Sequence, residues 1–139
     1  MNTDSKKLDL VLLIDDDDLV NTLNTIILRQ SGLVESIQAV RSGDEGFQAL
    51  EVCQKENKWP AIIFVDINMP GIDGWEFITL FGEKFRAFKK KCIICLLSSS
   101  LDPRDKEKVN KSELIDFFIS KPLSLEVVSD LCDKYYDFK

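Results

Sequence analysis

The chain has 139 residues, 45% of them apolar and 30% charged, which is the balance of one soluble domain with one core and too short for two. With Lys+Arg 18 against Asp+Glu 24 the formal net charge is −6, so the overall field repels nucleic-acid phosphates and no basic stripe outvotes it. Histidine is absent, which removes the commonest general base, the Ser-His and Cys-His nucleophile pairs and most transition-metal sites. Chemistry has to run on carboxylates, hydroxyls and lysine.

In chain order, the first apolar run, Leu10–Ile14, stops at four aspartates. It is too short for the apolar region of a signal peptide or for a membrane span, which predicts a cytoplasmic protein with no membrane association. Leu19, Leu23, Ile26 and Ile27 then fall at helical spacing and predict a helix with that stripe as its core face. Val34–Val40 is a weaker, more polar run and reads as an edge strand. Phe47, Leu50 and Cys53 mark a second helix, Ala61–Val65 a third strand, and Phe77, Phe81, Phe85 and Phe88 an aromatic stripe along a third helix, expected to pack in the core. Cys92–Leu97 reads as a strand, and on it Cys92 and Cys95 point to opposite faces. The four cysteines are therefore expected to be buried, reduced and structural. Residues 103–114 are charged and only weakly amphipathic. Phe117–Ile119 is a fifth strand, and Val128, Leu131, Cys132 and Tyr135 mark the last helix.

Strand and helix alternating five times predict an α/β fold, a doubly wound parallel sheet with right-handed crossovers and helices on both faces. Nothing interrupts the pattern, so a single domain over residues 1–139, with its core at about 8–136, is expected. In such sheets ligands bind beyond the carboxyl ends of the strands. The residues there are Asp15-Asp16-Asp17-Asp18 after the first run, Asp66-Ile-Asn-Met-Pro-Gly71 after the third, Ser98-Ser-Ser100 after the fourth and Ser120-Lys121-Pro122 after the fifth. Asp17 and Asp18 suit a helix start. Asp15, Asp16 and Asp66 would repel one another unless something cationic lay among them. Oxygen donors without imidazole or thiolate suit Mg²⁺, and a carboxylate can accept a phosphoryl group as an acyl phosphate.

Leu13–Asp18, Val65–Gly74, Ser98 and Ser120–Pro122 together resemble the receiver domain of two-component response regulators, in order and spacing, over about Leu8 to Tyr136. The resemblance implies a five-stranded sheet of flavodoxin-like order 2-1-3-4-5, with Asp66 as phosphoacceptor. It implies Mg²⁺, or Mn²⁺ in its place, held by Asp15, Asp16, Asp66 and the backbone carbonyl of Asn68. Lys121 would pair with Asp66 and then with the phosphoryl group, Ser98 would reach that group through its hydroxyl, and Phe118 matches the aromatic switch position. Two positions depart from the family pattern. Ser98 stands where threonine is common, and Val109–Asp116 lacks the small residues often found before the fifth strand.

The expected partners are a histidine kinase or a histidine phosphotransfer protein upstream and a protein target downstream. The output face would be the fourth helix, fifth strand and fifth helix, with Arg104, Lys106, Lys108 and Lys111 as a local basic cluster. A stand-alone receiver without an effector domain is expected, its own chemistry confined to its phosphorylation and dephosphorylation. The alternative is a Mg²⁺-dependent phosphatase of the haloacid dehalogenase type, which wants an acid two residues after the nucleophile, where this chain has Asn68. A nucleotide- or flavin-binding module lacks the glycine-rich loop it needs.

Overall fold

Each apolar run forms a strand, and each polar break after it turns the chain into a helix. The structure, a computed structural model, describes residues 7–138. In order the elements are β1 (Leu8–Ile14), α1 (Asp18–Ser31), β2 (Val34–Val40), α2 (Gly43–Lys55), β3 (Ile62–Asp66), α3 (Gly74–Phe85), β4 (Ile93–Ser98), α4 (Pro103–Lys111), β5 (Phe117–Ser120) and α5 (Leu125–Phe138). The helix starts follow from local chemistry. Asp17, Ser42, Asp73 and Asp102 each accept first-turn amide hydrogens at the N-terminus of a helix, worth about 0.5–2 kcal/mol apiece.

All pairings are parallel and the strand order is β2-β1-β3-β4-β5, as the resemblance implied. β2 lies at an edge, which accounts for its polar character. Every residue of β3 and β4 is buried, because both faces of the sheet are covered. Leu28 of α1 and Val128 and Leu131 of α5 pack on one face, while Phe47 and Leu50 of α2, Phe77 and Phe81 of α3 and Val109 of α4 pack on the other. Fully burying a side chain such as Phe81 or Leu50 favours folding by about 1.5–3 kcal/mol. Cys92 joins the second of these clusters and Cys95 the first, and all four cysteines are buried thiols.

Two expectations need correction. The aromatic stripe does not stay on one α-helix: α3 ends at Phe85, and a 3₁₀ helix over Arg86–Lys91 carries Phe88 onto Trp59, with ring centroids 4.5 Å apart. The tighter turn swings Phe88 away from the α-helical register. The first helix, moreover, faces the other way. Leu19, Leu23 and Ile26 are exposed, at 65%, 42% and 45% of their surface, whereas Asn21, Asn24 and Leu28 point inward and only Ile27 of the expected stripe packs against the core. The buried asparagines find backbone partners. Asn21 Nδ2 donates to the carbonyls of Asp15 and Val40 at 2.9 and 3.2 Å, and Asn24 Oδ1 accepts the Leu123 N–H at 3.0 Å. Those bonds tie α1 to the loops at the carboxyl edge of the sheet.

Candidate functional site

Register brings the site together. Ile14 lies opposite Val65, so Asp15 and Asp66 follow one another across adjacent strands. Asp66 lies opposite Leu97 and Ser98 opposite Ser120, so the next residue on each strand puts Ser98 and Lys121 on the same edge. A slip of one residue would send each side chain to the other face. The Lys121 amide donates to the Ser98 carbonyl at 2.9 Å, and the Lys121–Pro122 peptide bond is cis.

Asp15 and Asp66 are almost fully buried, and Asp16 beside them is partly exposed. One carboxylate oxygen from each of the three lies within 4.8 Å of the others. Lys121 Nζ is 3.3 Å from Asp15 Oδ2 and 3.2 Å from Asp66 Oδ1, which supplies the cation that the crowded acids require. Further local bonds hold the two buried acids: the Asp17 amide donates to Asp15 Oδ1 at 2.9 Å and the Asn68 amide to Asp66 Oδ1 at 3.3 Å. Burial, and then the Asp15 charge, push the Asp66 carboxyl up to about 6 against the opposing pull of Lys121. For Lys121, burial works to lower the pKa, but Asp66 and Asp15 outweigh it and hold the ammonium above its ordinary value.

The remaining aspartates after β1 do what helix starts require. Asp17 caps α1, and Asp18 pairs with Arg41 at 3.0 Å on the surface. The Ser98 hydroxyl is on the site edge but spent on its own loop: it donates to the Ser100 carbonyl and accepts the Ser100 N–H at 3.1 Å. Phe118 lies opposite Leu96, which puts it on the same sheet face as Ser98 two residues along, half-buried against the core cluster under α2, α3 and α4.

Two residues escaped the sequence reading, and a third, Gly74, entered it only as the end of the Val65–Gly74 stretch. Asn21 and Asn24 fasten α1 to the loops that carry Asp15 and follow Lys121; their three-residue spacing on a helix was the available signal. Gly74 lets α3 start against the backbone at the end of β3, because a Cβ there would lie 2.7 Å from the Asp66 carbonyl oxygen and 2.8 Å from Ile67 Cα.

Comparison with known proteins agrees with this architecture. A family model, Response regulator receiver domain, matches residues 11–132. The probable C4-dicarboxylate response regulator DctR of Priestia megaterium is 29% identical over 135 residues, 97% of this chain and 55% of that protein. Hybrid signal transduction histidine kinase D of Dictyostelium discoideum is 30% identical over 131 residues, 90% of this chain and 8% of that protein. The chain thus spans about half the length, or far less, of these curated relatives. Among solved structures, a two-component response regulator from Cytophaga hutchinsonii is 50% identical with a TM-score of 0.92, covering 95% of this chain and 99% of that one. The chemotaxis protein CheY4 of Vibrio cholerae, at 22% identity and a TM-score of 0.71 over 92% of this chain and 98% of that one, shares the fold. The chain therefore belongs to the response regulator receiver domain family of two-component systems.

Proposed function

We propose that Asp66 accepts a phosphoryl group from the phosphohistidine of a histidine kinase or histidine phosphotransfer protein, in a Mg²⁺-dependent reaction, and that the acyl phosphate changes what the α4–β5–α5 face binds. The observation that carries this reading is the pair of buried carboxylates, Asp15 and Asp66, bridged by the single ammonium of Lys121, with Asp16 alongside. A purely structural ion pair would need one acid per cation; here two acids share one ammonium and a third lies beside them.

The donors are all hard oxygens, which fits Mg²⁺, or Mn²⁺ in its place, and not zinc. Asp15, Asp16, Asp66 and the Asn68 carbonyl would hold the ion. When bound, it supplies positive charge opposite the phosphoryl oxygens. The ionised Asp66 carboxylate attacks phosphorus, the P–N bond to the donor imidazole breaks with its electron pair passing to the ring nitrogen, and that nitrogen takes a proton from solvent. In the metal-free pocket burial raises the Asp66 pKa to about 6, and a bound Mg²⁺ together with Lys121 would favour the ionised carboxylate that the reaction requires. Lys121, held charged by its neighbours, exchanges the Asp66 oxygen for a phosphoryl oxygen. Ser98 leaves Ser100 and donates its hydroxyl to the same group, and the space this opens on its sheet face admits the Phe118 ring.

Two surfaces suit the partners. Leu19, Leu23 and Ile26 form an exposed apolar stripe on α1 that begins just after the acidic loop, where a donor protein has to approach Asp66. On the output side, Arg104, Lys106, Lys108 and Lys111 are exposed on α4 and suit an acidic protein surface. The phosphatase alternative draws no support from the family match, and its second acid is missing at Asn68. Acetyl phosphate with Mg²⁺ tests the proposal: intact mass should rise by one phosphoryl group, and Asp66→Asn should not respond. Equal labelling of that variant would place the nucleophile elsewhere.

A further inference from the structure

At the amino ends of β3 and β4, across the sheet from the acidic pocket, lies an open cavity of about 500 Å³. Gln54 and Lys58 reach it from the end of α2, Trp59 from the segment before β3, and Phe88, Lys90 and Lys91 from the 3₁₀ helix before β4. Its size is that of a small-molecule site, and its walls divide into two kinds of surface.

One wall is aromatic and rigid. Trp59 and Phe88 stack at 4.5 Å and 20°, and Trp59 also packs on Phe85 at 5.4 Å, which fixes the pair to the core. The other wall is cationic. Lys58, Lys90 and Lys91 make no ion pair with a carboxylate among the described residues, whereas the adjacent Lys89 is taken up by Asp116 at 2.8 Å. Lys91 already lies over the Phe88 ring at 5.4 Å. In a chain of net charge −6, three unpaired ammoniums around one hollow are a local reversal of sign. The Cys53 thiol at the floor is itself neutral, since burial, and then the nearby Glu56 charge, hold it above its ordinary pKa.

We propose that this cavity binds a small aromatic anion, its ring against Trp59 and Phe88 and its carboxylate, sulfonate or phosphate group among Lys58, Lys90 and Lys91. A neutral aromatic compound would satisfy only one wall, and an inorganic anion only the other. The site shares no residue with the Asp66 pocket and stands independently of the phosphoacceptor reading.

Trp75→Phe leaves Trp59 as the single tryptophan and provides the background for a test. Anilinonaphthalene sulfonate and its uncharged counterpart N-phenylnaphthylamine are titrated while energy transfer from Trp59 and the Trp59 indole N–H resonance are followed. The sulfonate should bind about tenfold more tightly than the neutral dye and lose that advantage at high salt. Combined Lys58→Gln, Lys90→Gln and Lys91→Gln should weaken the sulfonate by about tenfold and leave the neutral dye within about twofold. Equal affinities for the two dyes, salt-independent binding of the sulfonate, or an unchanged indole resonance at saturation would each overturn the proposal. The three lysines are exposed, so the variant is expected to fold, and circular dichroism checks that it has.

Discussion

Asp66→Asn should stabilise the metal-free protein, by an amount that depends on pH with a defined sign. The fold pushes the Asp66 pKa from 3.8 to about 6, so the folded chain holds this proton more tightly than the unfolded chain does. Below pH 3.8 both states are protonated and the site costs nothing. As pH rises towards about 6 the unfolded chain ionises first and stability falls; above about 6 the full penalty is present. That displacement corresponds to at most about 3 kcal/mol, and to about 1–3 kcal/mol once rearrangement and water relieve part of it. The substitution keeps the side-chain shape and removes the charge, while Lys121 retains Asp15 at 3.3 Å. A domain of this length gains about 3 °C in melting temperature per kcal/mol, so at about pH 7.5 the variant should melt about 3–9 °C above the parent. Paired thermal melts followed by circular dichroism, without divalent cations, should show that gap shrinking towards zero at about pH 4. A gap independent of pH, or a variant less stable than the parent near neutrality, would refute the claim that acid crowding sets the energetics of this pocket.

Mg²⁺ should raise the melting temperature of the parent, by up to about 2.7 kcal/mol of stability at a hundredfold excess over Kd, and Asp16→Asn should blunt that response; no shift at any concentration would argue against a metal pocket. Ser98→Ala should still be labelled at Asp66 yet lose most of the change at Phe118, since burying a phenyl ring is worth roughly 1.5–3 kcal/mol and nothing would draw it in. Ring exchange at Phe118 that is identical with and without beryllofluoride would sever that link. Asn24→Ala should cost about 1–3 kcal/mol in a urea melt by stripping the Leu123 amide of its buried acceptor, and an unchanged midpoint would mean the loop is held by other contacts. Lys108, over the Trp75 ring at 4.7 Å, and Lys111, paired with Glu107 at 3.1 Å, are only lightly tied to the surface; reversing both charges should weaken capture of the downstream partner with Asp66 labelling intact.

The strands and their ends were legible because buried parallel strands read as unbroken apolar runs, and the residue after each run must sit at the carboxyl edge. Asp15, Asp66, Ser98 and Lys121 could be placed on one edge by that rule alone. The facing of α1 could not. Leu19, Leu23 and Ile26 satisfy helical spacing, but spacing identifies a stripe without saying whether it meets the core or the solvent. Asn21 and Asn24 won the inward position through hydrogen bonds to carbonyls and an amide that belong to distant loops, partners no periodicity announces. Phe88 kept the pattern of the aromatic stripe while the backbone changed to a 3₁₀ helix. The cavity beside Trp59 joins Lys58 to Lys90 and Lys91 across more than a strand and a helix, a proximity only the folded chain creates.

The central claim, that an acyl phosphate forms on Asp66, is tested most directly by trapping it. The protein is incubated with acetyl phosphate and Mg²⁺ and then treated with borohydride, which reduces an aspartyl phosphate to homoserine, and the converted residue is located by tandem mass spectrometry of peptides. Homoserine at Asp66, dependent on Mg²⁺ and reduced in Lys121→Ala, is the predicted result. Conversion at Asp15 or Asp16, or none at any aspartate while intact mass still rises, would contradict the account.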